Sequence, residues 1–387
     1  MQFIDLVTQQ KRIRNKIEAN IAAVLDHGKY IMGPEIKALE KKLSEYVGVK
    51  HAIGCASGTD ALLMALLALK VGPGDAVFTS PFTFIATAEV ISLLGATPVY
   101  VDIDSETYNI DPAKLAQAVS ALKADNTDLH PLPITNNPSP ITPKGVIAVD
   151  IFGLPADYAS IDQIAQENGL FVIEDAAQSF GAVLNGRKAC SFGHIACTSF
   201  FPAKPLGCYG DGGMCFTDDD ELGNIMESLR VHGKGDHKYD NVRIGLNGRL
   251  DSLQAAILMA KFDIFPEELE LRQQVASRYA ALLGNDSPVT VPSIPSGSKS
   301  AWAQYSILAA DESQRTALQN NLKDAGIPTA IYYPQPLHLQ TAFSSLGYKK
   351  GDFPISEDYA QRIFSLPMHP YLTEEEQIKI CKVIGNE

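Results

Sequence analysis

From about residue 50 to residue 235, short apolar runs alternate with segments of helical period. The runs at 76–79, 98–102, 145–150, 171–175, 195–200 and 213–217 predict strands, several of them next to Gly, Pro or Asp. Between them, 60–70, 85–94, 113–122 and 158–168 predict helices. Apolar strands alternating with helices predict an α/β fold, a largely parallel sheet covered on both faces. The segment 124–144 breaks this rhythm. It holds Pro131, Pro133, Pro138, Pro140 and Pro143, and it reads as a long surface loop without chemistry of its own. Beyond it, 252–261 reads as helix and runs on to Pro266 and a charged stretch at 267–272. After Asp286 come Pro-rich turns, then a strand-like 303–308 and a helical 314–325. The expected division is a large domain over 1–254 and a smaller α+β domain over 255–387, with segment 1–25 packing against the smaller one.

Composition narrows the functional classes. The chain has 387 residues, 45% hydrophobic and 20% charged, an ordinary globular balance. A net charge of −13 argues against nucleic-acid binding, which wants basic patches. It leaves room for a small anionic ligand, since a few backbone N–H groups and one arginine suffice locally. Six cysteines show no Cys-x-x-Cys and no zinc-ligand spacing, so buried free thiols in a reducing cytosol are expected, with no metal. Asp5 falls early in a start without a long apolar core, and the apolar stretch 61–69 is too short to cross a bilayer. A cytoplasmic protein without a membrane segment is therefore expected.

The candidate chemistry lies at three places. Lys204 sits between Pro202 and Pro205, where neither a regular helix nor a central strand can form. Its apolar neighbours Phe200, Phe201 and Leu206 favour a depressed amine pKa, which suits imine formation. Asp175 ends the apolar run 170–173 plus Glu174, at the edge from which open α/β sheets bind ligands. Gln178 follows three residues later. Ser57-Gly58-Thr59-Asp60 opens a helix, with Gly58 letting backbone approach an anion and either Ser57 or Thr59 serving as its cap. Ser199, five residues before Lys204, offers a further hydroxyl. An imine-forming amine, a carboxylate for a pyridine nitrogen and hydroxyls for a phosphate are what pyridoxal phosphate needs. Phe84, after the strand at 76–79, is the candidate to stack on its ring, although an aromatic there is more often core. P-loop, Rossmann, nucleophile-elbow and zinc-protease patterns are all absent from the sequence.

Four motifs carry a resemblance: Ser57-Gly58-Thr59-Asp60-Ala61-Leu62, Glu174-Asp175-Ala176-Ala177-Gln178, Ser199-Phe200-Phe201-Pro202-Ala203-Lys204 and Asn247-Gly248-Arg249-Leu250-Asp251. In this order they resemble the DegT/DnrJ-type sugar-nucleotide aminotransferases, over nearly the whole chain. The resemblance implies fold type I, the aspartate-aminotransferase architecture, as a homodimer with active sites at the subunit interface. It implies Lys204 as the imine lysine, Asp175 on the pyridine nitrogen, Gln178 on the phenolic oxygen and Phe84 on the ring face. Gly58, Thr59 and Ser199 would hold the phosphate, with Asn247 reaching it from the neighbouring subunit. Cys197-Thr198-Ser199 with Lys204-Pro205-Leu206-Gly207-Cys208, and Arg243-Ile244-Gly245-Leu246-Asn247, are most similar to enzymes that aminate UDP-2-acetamido-2-deoxy-3-keto-glucuronate from glutamate for O-antigen synthesis. That similarity implies Gly28 and Tyr30 on the nucleotide sugar and Arg249 on a substrate carboxylate. Tyr332, Tyr333 and His338 are further expected substrate contacts. The chain departs from the pattern at Ala203, usually serine, and at Tyr332, commonly histidine. Amination of a dTDP-linked 3- or 4-keto-6-deoxy sugar is the alternative. A cofactor-dependent sugar dehydratase and a non-enzymatic sensor are weaker ones, the former opposed by Lys204.

Overall fold

The computed structural model describes residues 1–134, 140–237, 239–284 and 287–385. Its strands are β1 (His51–Cys55), β2 (Asp75–Thr79), β3 (Thr97–Tyr100), β4 (Thr142–Val149), β5 (Phe171–Asp175), β6 (Val183–Leu184), β7 (Arg187–Lys188), β8 (Ile195–Ser199), β9 (Gly213–Thr217), β10 (Ser298–Lys299), β11 (Tyr305–Leu308) and β12 (Ile363–Leu366). Seven of them form the central sheet in the order β1-β9-β8-β5-β4-β2-β3. Neighbours from β8 to β3 run parallel, and β9 runs antiparallel to both β8 and β1.

Side-chain alternation explains why both faces are covered. Val77, Ile147 and Ile173 point to one face, where helices Gly58–Ala68 and Asp220–Leu229 pack. Ala76, Phe78, Val146, Ala148 and Val172 point to the other, under helices Pro112–Ala124 and Tyr158–Asn168. Each large apolar side chain so buried contributes about 1.5–3 kcal/mol. At the β9 end, Met214 and Phe216 share a core with Ile36, Leu39, Leu258 and Phe262.

Two expectations about elements need correction. Strand β1 was not anticipated: Gly54 interrupts the apolar signal of His51–Cys55, and antiparallel pairing with β9 supplies what the local pattern lacks. Strand β4 begins at Thr142, inside the segment expected to be loop, because Asp75 and Ala76 of β2 pair with Thr142 and Pro143. Pro143 is tolerated beside a register shift between Ala76 and Val77. The same segment is also tied down earlier. The buried His130 bonds the carbonyl of Tyr100 at 2.8 Å, and Ile134 N–H donates to the Leu346 carbonyl at 2.8 Å. Pro138 lies outside the described residues.

A second core surrounds the β11–β12 pair and includes Val275, Tyr279, Leu318, Leu322 and Ile380. Ala255, Leu258, Phe262 and Leu269 pack with the large sheet instead, so the two cores part company within helix Phe265–Leu283. The first helix, Leu6–His27, lays Ile13 and Ile17 on Ile257 and Ala260, while the Phe3 carbonyl accepts from Met368 N–H at 3.2 Å.

Candidate active site

Strand register gathers the candidates along one edge of the sheet. Val149 pairs with Asp175, Asp175 with Cys197, and Ser199 with Gly213, so the carboxyl ends of β4, β5 and β8 lie side by side. Open α/β sheets bind ligands at that edge, at the point where strand order reverses. Here the order turns at β2, which has β3 on one side and β4 on the other.

Helix Gly58–Ala68 starts at the same edge. Ser57, not Thr59, is its cap: the Ser57 hydroxyl accepts from Asp60 N–H at 3.0 Å. That leaves the N–H groups of Gly58 and Thr59, at the positive end of the helix, for an anion. A side chain at Gly58 would meet Ser199 Cβ at 2.7 Å, so the helix start is pressed against the end of β8. Ser199 Oγ accepts from Phe201 N–H at 3.2 Å, and its own proton stays available for donation.

Asp175 is 4% exposed. Its Oδ2 accepts from the Thr87 hydroxyl at 2.8 Å and its Oδ1 from Ala177 N–H at 3.2 Å. Burial raises its pKa, against the pull of Thr87, Ala177 and the Lys204 charge. A buried carboxylate of this kind wants a cation, and a protonated pyridine nitrogen is one. Lys204 is half-buried on the bend, its N–H bonded to the Phe201 carbonyl at 2.9 Å. Burial lowers its pKa to about 8, and the Asp175 charge opposes that shift. The two groups lie close enough to act on each other electrostatically, 29 residues apart in a chain where nothing local requires it.

Gln178 is held in one orientation. Its Oε1 accepts from Phe152 N–H at 2.6 Å and its Nε2 donates to the Tyr333 hydroxyl at 3.1 Å. The amide therefore presents donors, as a phenolate oxygen requires. Phe84 is 56% exposed, unusual for a large aromatic, and its ring lies 6.5 Å from that of Tyr333. The Tyr332 ring lies 6.5 Å from that of Phe3.

The remaining candidates spread around this centre. Gly248 lies against Ala56, whose N–H it accepts at 3.1 Å, and Arg249 bridges to Cys55. Arg249 donates to the exposed Asn247 side chain, while its Nε is buried without a partner among the described residues. Gly28 ends the first helix with φ 67°, and the Tyr30 carbonyl accepts from Ser252 N–H at 3.0 Å, beside the bridge between Ile31 and Asp251. The His338 side chain is fully enclosed, bonded to Glu357 at 3.0 Å and packed on Phe353. Thr87, Phe152 and the buried Asp150, which accepts from Tyr158 and Ser179, were not foreseen. A lone hydroxyl in the apolar helix start 85–88 was the one signal for Thr87.

Residues 11–385 match the DegT/DnrJ/EryC1/StrS aminotransferase family. The chain belongs to this family. It is 46% identical over 386 residues, covering 100% of both chains, to the UDP-2-acetamido-2-deoxy-3-oxo-D-glucuronate aminotransferase of Pseudomonas aeruginosa. Among solved structures it resembles a DegT DnrJ EryC1 StrS aminotransferase from Brucella abortus, with TM-score 0.93, 49% identity and coverage of 99% and 98%. It also resembles NtdA of Bacillus subtilis with bound cofactor PMP, with TM-score 0.85, 29% identity and coverage of 99% and 82%. The family's fold is fold type I, and its members depend on pyridoxal phosphate. The chain is accordingly a pyridoxal-phosphate-dependent aminotransferase, and the lowered Lys204 amine, the buried Asp175 and the Gly58–Ser199 cradle suit that cofactor.

Proposed function

We propose that the protein moves an amino group from glutamate to a keto-sugar nucleotide, with UDP-2-acetamido-2-deoxy-3-keto-D-glucuronate as acceptor. The observation that carries the reading is the pairing of a desolvated Lys204 with a buried Asp175 at the carboxyl edge of the sheet. When bound, pyridoxal phosphate supplies a carbonyl that condenses with amines and a ring that takes up the electron pair left when a proton departs. Gly58, Thr59 and Ser199 would hold the phosphate through two backbone N–H groups and a hydroxyl. Asp175 would keep the pyridine nitrogen protonated, Gln178 would donate to the phenolic oxygen, and Phe84 would cover one ring face. Lys204 would hold the cofactor through its amine, and its Nζ would accept the proton leaving the α-carbon of an amino substrate. An amine titrating near 8 is neutral in a useful fraction at physiological pH, which that proton transfer requires.

Arg249 supports the uronate. Its guanidinium carries a buried Nε without a partner and can pair a carboxylate in the forked geometry that lysine lacks. Glutamate and the uronate would occupy that arginine in turn. We further propose a homodimer in which Asn247 reaches the partner's phosphate. Exposed Phe84, Phe201, Tyr30, Ile31, Val242 and Ile244 support an interface around the site. In this reading the enzyme is cytoplasmic and its product enters O-antigen assembly. Incubation with glutamate and a panel of keto-sugar nucleotides, followed by mass spectrometry, tests the proposal. Amination of the UDP-3-keto-uronate is expected to outrun that of dTDP-6-deoxy sugars. The opposite order would reverse the substrate assignment.

A further inference from the structure

The Lys204 bend makes few bonds of its own. Phe200 N–H donates to the Gly212 carbonyl at 2.7 Å, and Cys208 N–H to the Phe200 carbonyl at 2.8 Å, which closes the base of the loop. Inside it, Pro202 and Pro205 offer no N–H, and the Lys204 N–H to Phe201 carbonyl bond is a single turn contact. The chain then doubles back so tightly that a Cβ at Gly207 would lie 2.5 Å from the Phe201 carbonyl oxygen and 2.6 Å from that of Pro202. Whatever fixes Gly207 therefore fixes the wall on which the Lys204 bend leans.

Two side chains of helix Ser252–Phe262 do so. Lys261 Nζ donates to the Gly207 carbonyl and lies 4.9 Å from the Tyr209 ring centroid. Gln254, about two helical turns earlier on the same face, brackets the Tyr209 backbone: its Oε1 accepts from Tyr209 N–H at 2.9 Å and its Nε2 donates to the Tyr209 carbonyl at 3.2 Å. Lys261 is 1% exposed, next to Leu258 and Phe262 of the large core. An apolar residue at that place would avoid the cost of burying an amine. Burial lowers the Lys261 pKa to about 8, with the Glu268 carboxylate opposing that shift.

We propose that Lys261, assisted by Gln254, is a positioning residue that holds the Lys204 bend in register with the cofactor site from behind. The proposal rests on the reading of Lys204 as the cofactor-linked amine. Lys261 acts on the reaction through the Gly207 carbonyl and touches no substrate. Removing its donor leaves that carbonyl buried and unpaired, and the bend loosens toward solvent.

The test uses the full-length apoprotein. Competitive acetylation across a pH series, read by peptide mass spectrometry, gives the titration of the Lys204 amine in wild type, Lys261→Met, Lys261→Gln and Gln254→Leu. In wild type Lys204 is expected to titrate at about 8. In Lys261→Met it is expected to move at least one unit toward the ordinary lysine value, lowering its acetylation at pH 7.5 by about tenfold. Lys261→Gln, which keeps an N–H donor, is expected to stay within about threefold of wild type. With cofactor added, kcat should fall in Lys261→Met while KM for glutamate holds. Gln254→Leu removes the second clamp without touching buried charge, and it decides by the same criterion if Lys261→Met does not fold. Borohydride trapping of the cofactor on the same preparations separates the two claims. Trapping on a residue other than Lys204 in wild type overturns the underlying reading. Trapping on Lys204, with its titration unchanged in both Lys261→Met and Gln254→Leu, overturns the positioning role alone.

Discussion

Gly58→Ala sets two physical effects against each other. Helix propensity favours alanine over glycine by about 0.5–1 kcal/mol, and Gly58 is the first residue of helix Gly58–Ala68. Packing opposes it. The new Cβ would lie 2.7 Å from Ser199 Cβ and 3.2 Å from both Ser199 Cα and Oγ. Ordinary carbon contacts are about 3.5–4.0 Å, so the helix start and the end of β8 must separate by roughly 1 Å. Overpacking of that kind costs about 1–3 kcal/mol. The net effect is a loss of about 1–2 kcal/mol, concentrated between the Ser199 hydroxyl and the N–H groups of Gly58 and Thr59, the two halves of the proposed phosphate cradle. At about 1.4 kcal/mol per tenfold, the Kd for pyridoxal phosphate should rise about tenfold or more. Titration of apoenzyme by absorbance, with a melting curve for each variant, reads both terms. Gly72→Ala is the control, because a Cβ there meets nothing within 4 Å and should leave cofactor affinity unchanged. A Gly58→Ala enzyme that binds pyridoxal phosphate like wild type, with an equal or higher Tm, would refute the cradle.

Other outcomes follow from the same geometry. Thr87→Val removes a hydroxyl from the Asp175 carboxylate, worth about 1.5–3 kcal/mol. The Asp175 pKa then rises further, so the acid limb of the kcat profile should move to higher pH; an unmoved limb counts against Asp175 as the ionised partner. Asp175→Asn should cost at least about 100-fold in kcat while the cofactor remains bound, since the phosphate contacts survive, as single-turnover kinetics and absorbance would show. Lys204 is half-buried and desolvation lowers its pKa to about 8, so its charge opposes folding most fully below 8, and the penalty fades as pH rises from 8 toward the unfolded value. Lys204→Met apoprotein should therefore melt above wild type at pH 7, with the gap closing by about pH 10; a constant gap would contradict the burial of that charge. Arg249→Ala should raise KM for the uronate and for glutamate together, whereas a rise for one alone would break the shared-site assignment.

The central strands with unbroken apolar runs were legible from local sequence, as 171–175 and 213–217 match β5 and β9 residue for residue. Strand β1 was not, because Gly54 carries no side chain to mark its face and its partner lies far along the chain. The proline-rich segment misled for a related reason: Thr142 and Pro143 become strand through pairing with β2, a tertiary effect that overrides local preference. Lys204 and Asp175 were visible because each stands at a conspicuous local break, a proline bracket and a strand end. Their supporting groups were not. Thr87 reaches Asp175 across 88 residues and Lys261 reaches Gly207 across 54, and no periodicity within either segment encodes such a meeting. His338 was named through the resemblance alone, and its enclosure against Glu357 is likewise set by tertiary packing that its local sequence does not encode.

The central claim is that Lys204 is the amine that carries the cofactor. Reduction of the holoenzyme with borohydride, followed by proteolysis and mass spectrometry, tests it most directly. The account predicts a single pyridoxyl-phosphate adduct, on Lys204. An adduct on any other lysine, with Lys204 unmodified, would contradict it.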